Sequence, residues 1–97
     1  MYYECHVTLD PLHVERVGLI AKIHGFKTSV LKGDPVMGDD KLLYCTCHDR
    51  TFENIHERME HLVWQLRMRE IPILRKKIEH ILLDERYVAS NLGKDSK

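Results

Sequence analysis

Residues 2–32, YYECHVTLDPLHVERVGLIAKIHGFKTSVLK, contain the pattern from which the fold is predicted. Apolar and polar residues alternate from Tyr2 to Leu9, which is typical of a half-buried strand. Asp10-Pro11 then predicts a helix start, because the aspartate caps N–H groups and proline needs no N–H at the first helical position. Gly25 ends the helix, and Phe26 to Lys32 predicts a second strand.

The same order of elements follows in the second half of the chain. Lys41 to His48 is an apolar strand, and Thr51 to Glu70 carries an apolar stripe at helical spacing. Pro72 breaks this helix, and Ile73 to Leu83 predicts a last strand. The order βαββαβ predicts an α+β fold of the ferredoxin-like class, a four-stranded antiparallel sheet with two helices on one face. The other sheet face is then open to water, a ligand or a partner.

Length limits the chain to one small domain. With 97 residues it can build a single modest core. We expect one ferredoxin-like domain over residues 1–84 and a flexible C-terminal tail over residues 85–97. The turn-favouring segment Gly33 to Asp40 predicts a flexible hairpin tip, with cation binding or closure over a ligand as the alternatives.

Charge and cysteine content limit the classes of function. Fifteen basic and fifteen acidic residues cancel, which disfavours general nucleic-acid binding but leaves room for a local basic patch. The sequence shows no signal peptide and no membrane span, and the odd count of cysteines, Cys5, Cys45 and Cys47, predicts reduced thiols. We therefore expect a cytoplasmic protein that contacts no membrane.

The alternation in the first strand places His6 and Thr8 on the open face. There an imidazole can move a proton while a hydroxyl positions a phosphate oxygen, so these two are candidate catalytic residues. Polar side chains of both signs surround them and predict a site for a small anionic or zwitterionic ligand, such as one that contains phosphate. The candidate ligand-binding residues are Glu4, Tyr44, Thr46, His48, Lys77 and Glu79. The alternative is a solvated face on which cross-strand charge pairs stabilise the sheet.

The cysteines and histidines do not predict a metal site. Cys45 and Cys47 share one face of their strand while His48 lies on the other, and the C-x-C-H spacing lacks the gap usual between zinc ligands. We expect the thiols to pack as small hydrophobes on the helix-covered face. We predict no metal and no cofactor.

The run His6-Val7-Thr8-Leu9 resembles the H-x-T/S-hydrophobic motif of the two-histidine phosphoesterase superfamily, which includes the LigT-like RNA phosphodiesterases. That superfamily carries two such motifs in a longer, pseudo-symmetric chain, and this sequence contains one. A homodimer could in principle supply the second copy. The resemblance implies a phosphoesterase in which His6 and Thr8 act on a phosphate.

A second resemblance spans most of the chain. Tyr3 to Thr8, Gly33-Asp34 with Gly38-Asp39, and Arg75 to Glu79 look like small single-domain proteins of bacteria and their phages. That family brings no assigned activity. It implies only a cytoplasmic protein of a prokaryote or a virus.

Two main classes of function remain open. The first is a binding or assembly module whose open face binds a nucleotide-like anion or pairs with a second copy to form a homodimer. The second is a phosphoesterase or nucleotide-processing enzyme built around His6 and Thr8. A third is an RNA-contacting domain, whose binding would weaken steeply with salt. The sequence leaves open whether the protein is an enzyme.

Overall fold

Four strands and two helices follow one another in the predicted order. The computed structural model describes residues 1–32 and 41–87. Its elements, in chain order, are strand β1 (Tyr2–Leu9), helix α1 (Val14–Ile23), strands β2 (Lys27–Lys32) and β3 (Lys41–Asp49), helix α2 (Phe52–Met68) and strand β4 (Arg75–Ile81). A short 3-10 turn, Pro11–His13, precedes α1. The prediction of a ferredoxin-like α+β fold is confirmed.

The sheet has β1 and β3 at its centre, in the order β2-β3-β1-β4, and every neighbouring pair is antiparallel. Cys5 of β1 lies opposite Cys47 of β3, while Glu4 lies opposite Glu79 of β4. Because side chains alternate along a strand, this register turns one set toward the helices and the other toward the open face. A slip of one residue would exchange the two sets.

Local hydrogen bonds fix where the helices begin. Asp10 Oδ1 accepts from the Leu12 N–H at 2.8 Å and caps the 3-10 turn that leads into α1, whereas the N-cap residue of α1 itself, His13, makes no side-chain cap hydrogen bond. Thr51 Oγ1 caps α2 by accepting from the Asn54 N–H at 3.1 Å. At the far end of α1, Gly25 adopts φ +78°, a conformation that costs little only for a residue without a side chain. The chain turns there into β2.

Helix α2 ends before Pro72 rather than at it. Glu70 adopts φ 58°, and its N–H donates to the Arg67 carbonyl at 2.9 Å. The Ile71 N–H donates to the Leu66 carbonyl at 3.0 Å, and the Ile71 side chain is buried. These two bonds form a Schellman motif, which satisfies carbonyls at the helix end.

The core lies between the sheet and the two helices. The sheet contributes Cys5, Val7 and Leu9 of β1, all fully buried. The helices contribute Val17, Ala21, Ile55, Met59, Leu62, Val63 and Leu66. The three cysteines are buried, unpaired thiols in this layer. Burial raises the pKa of the Cys45 thiol to about 12, so this group stays protonated at neutral pH and packs as a small hydrophobe.

Arg58 of α2 joins three parts of the fold. Its guanidinium donates to the Gly25 carbonyl at 3.0 Å, to the His48 carbonyl at 2.9 Å and to the Asp49 carboxylate at 3.2 Å. Burial alone would raise the pKa of Asp49, but hydrogen bonds from the Arg50 N–H and from Arg58 outweigh it and hold the pKa below its usual range. The end of β3 is thereby tied to α2.

Two segments predicted from the sequence lie wholly or largely outside the residues that the structure describes. The hairpin tip from Gly33 to Asp40 lies outside the described residues, as do residues 88–97 of the predicted tail. Residues 82–87 follow β4 without helix or strand. Over residues 1–32 and 41–87, neither helix combines the length and the apolar character that a membrane crossing needs.

Candidate functional site

Alternate residues of three neighbouring strands meet on the open face. The register aligns three rows across β3, β1 and β4: His48, Glu4 and Glu79; Thr46, His6 and Lys77; and Tyr44, Thr8 and Arg75. The structure therefore brings the two candidate catalytic residues and the six candidate binding residues together on one face. Arg75, the first residue of β4, lies on the same face.

His6 is held by side chains on both sides of its ring. Its Nε2 lies 3.0 Å from Glu4 Oε1, and its Nδ1 lies 3.0 Å from Thr46 Oγ1. A neutral ring satisfies both contacts by donating from Nε2 and accepting the threonine O–H at Nδ1. The His6 side chain is 23% exposed, so this arrangement is partly shielded from water.

Glu4 connects His6 to a second histidine. Its other oxygen, Oε2, accepts from His48 Nε2 at 2.8 Å. Burial alone would raise the pKa of the Glu4 carboxyl, but the hydrogen bonds from His48 and His6 outweigh it and hold the pKa below its usual range. Glu4 is therefore ionised at neutral pH and orients two imidazole rings. The rings of Tyr2 and His48 pack in a T-shaped arrangement, with centroids 5.4 Å apart.

A second carboxylate lies next to this group. Glu79 Oε1 is 3.8 Å from His6 Nε2 and 3.5 Å from Lys77 Nζ. Glu4, His6 and Glu79 each offer a ligand atom, and the three atoms lie within 4.8 Å of one another. The prediction of no metal site was based on the spacing of the cysteines. This group depends on the β1–β4 register, which the spacing does not contain.

A pocket of about 250 Å³ adjoins His6 on the side toward β2; we call it the open-face pocket. It is lined by His6, Thr8, Ser29, Leu31, Lys32, Tyr44, Thr46, Arg75 and Lys77. Three of these side chains are cationic and four carry hydroxyls, and the lining drawn from the described residues includes no carboxylate. Its volume is a little below the roughly 300 Å³ at which sites for drug-sized ligands begin.

The predicted residues divide between the pocket and its neighbourhood. His6, Thr8, Tyr44, Thr46 and Lys77 line the pocket. Thr8 is only 2% exposed although it lies on the open face. The other three predicted residues, Glu4, His48 and Glu79, form the acidic and imidazole group beside it.

Sequence reasoning missed the contribution of β2. Ser29 lies opposite Tyr44 in the register, so it shares the open face with the predicted residues. Strand order was the available signal, since β2 must flank β3 in this fold. Arg75 was visible in the sequence as part of a basic cluster, but its position opposite Thr8 depends on the β1–β4 register.

The arrangement can attract an anion and exchange a proton with it. Lysine and arginine supply charge, hydroxyl groups supply directed hydrogen bonds, and His6 supplies an imidazole whose ring nitrogens can donate or accept a proton. No known protein family matches the sequence, and no curated protein is significantly similar to it.

Proposed function

We propose that the open-face pocket binds a small phosphate-containing ligand. The main support for this proposal is the lining of the pocket. Three cationic side chains, four hydroxyl groups and His6 surround a volume of about 250 Å³. Charge-assisted hydrogen bonds to phosphate oxygens are among the strongest polar contacts that proteins make. The hydroxyls add directed contacts to the same oxygens.

The pocket volume favours a small ligand over a polymer. About 250 Å³ accommodates a phosphate group with a small organic substituent. A nucleic acid would need cationic side chains along an extended track, and the balance of fifteen basic and fifteen acidic residues supplies no excess charge for one. RNA binding would instead show itself as an affinity for single-stranded RNA that falls steeply as the salt concentration rises.

The composition of the face disfavours self-association through it. Charged residues are depleted from the buried centres of protein interfaces, whereas this face carries Glu4 on the central strand β1 and Lys77 and Glu79 on the neighbouring edge strand β4. Pairing of two copies through this face would remove these charges from water, which is energetically unfavourable. A homodimer through this face stays the alternative form of a binding module.

Replacing Lys77 with glutamine should weaken the binding of inorganic phosphate and of adenosine monophosphate by at least about tenfold. The neighbouring residue provides a matched control. Lys76 points to the opposite face, where its Nζ lies 2.7 Å from Glu60 Oε2, so Lys76→Gln should leave the affinity unchanged. Isothermal titration calorimetry at low ionic strength measures both variants.

Two results would count against the proposal. One is that the unmodified chain binds neither probe; the other is that Lys77→Gln and Lys76→Gln weaken binding equally, which would indicate a diffuse charge effect. Analytical ultracentrifugation of the same samples separates the alternative, since loss of a dimer in Lys77→Gln without any phosphate binding would favour an assembly module.

Hydrolysis of a phosphodiester is the second candidate function. It is favoured by one contact: His6, a pocket-lining residue, has its Nε2 3.0 Å from the Glu4 carboxylate, which can orient the ring as a general acid or base. Turnover of a cyclic phosphodiester that disappears in a folded His6→Ala variant would support it. Binding without turnover would leave the protein a binding module.

We also propose that the protein acts in the cytoplasm. Its three cysteines are buried thiols without a disulfide, which suits a reducing compartment.

A further inference from the structure

Glu4, His6 and Glu79 surround one point on the open face with three potential metal ligands. We propose that they bind a divalent first-row transition ion such as Zn²⁺. This goes beyond the anion pocket, because the ion would occupy the acidic side of His6, between β1 and β4. The two sites share only His6.

The distances suit a single ion. His6 Nε2 is 3.0 Å from Glu4 Oε1 and 3.8 Å from Glu79 Oε1. Nitrogen and oxygen ligands about 2.1 Å from a tetrahedral ion lie about 3.4 Å from each other. The two separations from His6 lie on either side of that value, and all three ligand atoms lie within 4.8 Å of one another. Rotations of the two glutamate side chains would bring the three atoms onto one ion.

The outer contacts of a metal site are also present. A histidine ligand almost always donates its second ring N–H to an oxygen, and His6 Nδ1 lies 3.0 Å from Thr46 Oγ1. A carboxylate ligand is commonly held by a hydrogen bond at its other oxygen, and Glu4 Oε2 accepts from His48 Nε2 at 2.8 Å. When an ion takes Nε2, the His6 proton can reside on Nδ1 and be donated to the threonine oxygen.

The charges on neighbouring strands give an independent reason for a cation. Glu4 and Glu79 lie directly opposite each other in the β1–β4 register, and like charges in that position destabilise a sheet. Lys77 lies beside this pair, with its Nζ 3.5 Å from Glu79 Oε1. A divalent ion between the two carboxylates would remove the repulsion.

The ligand set indicates the class of ion. One imidazole with two carboxylates combines a nitrogen donor that suits Zn²⁺ and Fe²⁺ with oxygen donors that hard ions prefer, so a borderline transition ion fits best. Three protein ligands leave coordination positions for water or a ligand atom. The cysteines belong to the core on the opposite side of the sheet and take no part.

A calorimetric titration with Zn²⁺ in the absence of a phosphate ligand tests this site separately from the anion pocket. We expect one ion per chain, and at least about tenfold weaker binding in Glu79→Gln. Glu79 is on an edge strand with its side chain 44% exposed, so the variant should fold; Glu4→Gln is the second variant. Glu60→Gln is the matched control, because Glu60 pairs with Lys76 on the other face.

Two spectroscopic measurements identify the ligands. Nitrogen-15 NMR should show the His6 proton on Nδ1 in the Zn²⁺-loaded protein, whereas ions held at unrelated surface histidines would leave the His6 ring unchanged. Co²⁺ substitution should give visible bands without thiolate charge transfer. The proposal is overturned if Zn²⁺ does not bind at millimolar concentration, if Glu79→Gln and Glu4→Gln bind as tightly as Glu60→Gln, or if thiolate charge transfer appears.

Discussion

A glutamate in place of Thr46 should weaken phosphate binding by more than about a hundredfold. Thr46 lines the open-face pocket and lies opposite His6 in the sheet. A carboxylate there would repel a phosphate directly and would also compete for the pocket's cations, including Lys77. Two like charges a few ångströms apart in a partly shielded site repel each other by several kcal/mol, which weakens binding. All of the original cations remain, while the substitution also removes the Thr46 hydroxyl, which lies 3.0 Å from His6 Nδ1.

Thr28→Glu is the matched control for this experiment. Thr28 lies on the adjacent strand β2, opposite Cys45, and is exposed on the other face of the sheet. The same substitution there changes the net charge equally but should change phosphate affinity by less than about twofold, because solvent screens a charge on the far side of the sheet. Equal losses in both variants, measured by calorimetry, would contradict a localised pocket.

Replacing Leu62 with alanine should lower the free energy of unfolding by about 3 kcal/mol. Leu62 lies on α2, is fully buried, and belongs to the core between the helices and the sheet. The loss combines the transfer free energy of the removed carbons with the cost of the cavity that remains. For a domain of this size the total is commonly only about 5–15 kcal/mol, so the variant should be visibly unstable.

Urea denaturation followed by circular dichroism measures this change. Met68→Ala is the control, because Met68 is on the same helix but 60% exposed, and it should cost less than about 1 kcal/mol. A loss below about 1 kcal/mol for Leu62→Ala would mean that α2 does not pack on the sheet as described.

The fold was predictable because its two central signals are strong. In β1 the alternation of Cys5, Val7 and Leu9 with polar residues corresponds directly to buried and open faces. In α2 the apolar stripe coincides with the buried residues, of which Ile55 and Leu66 are fully covered. Both patterns arise because one face of each element packs against the other layer, and that constraint is local in sequence.

The element ends were less predictable. Helix α2 ends at Met68 through a left-handed Glu70, a conformation usually taken by glycine, so the sequence gives no stop signal before Pro72. Its first residue, Phe52, continues the apolar stripe yet is 46% exposed, and its ring packs edge-on against Tyr3. Such details depend on tertiary contacts that periodicity does not contain.

The sequence predicted which face of the sheet carries the candidate residues, but it did not predict which side chains they contact. Alternation alone placed Glu4, His6 and Thr8 on the open face. Which side chain on the neighbouring strands each one meets depends on register, and register is set by the packing of the whole sheet. The bridge from Glu4 to His48 and the apposition of Glu4 and Glu79 could therefore not be derived from the sequence.

An NMR titration of the isotope-labelled protein with inorganic phosphate tests whether the open-face pocket binds phosphate. We expect saturable shifts at the His6 ring and at the backbone amides of Thr8, Tyr44 and Thr46, while the amides of α1 and α2 stay unchanged. Shifts spread evenly over both faces, or none at millimolar phosphate, would contradict it.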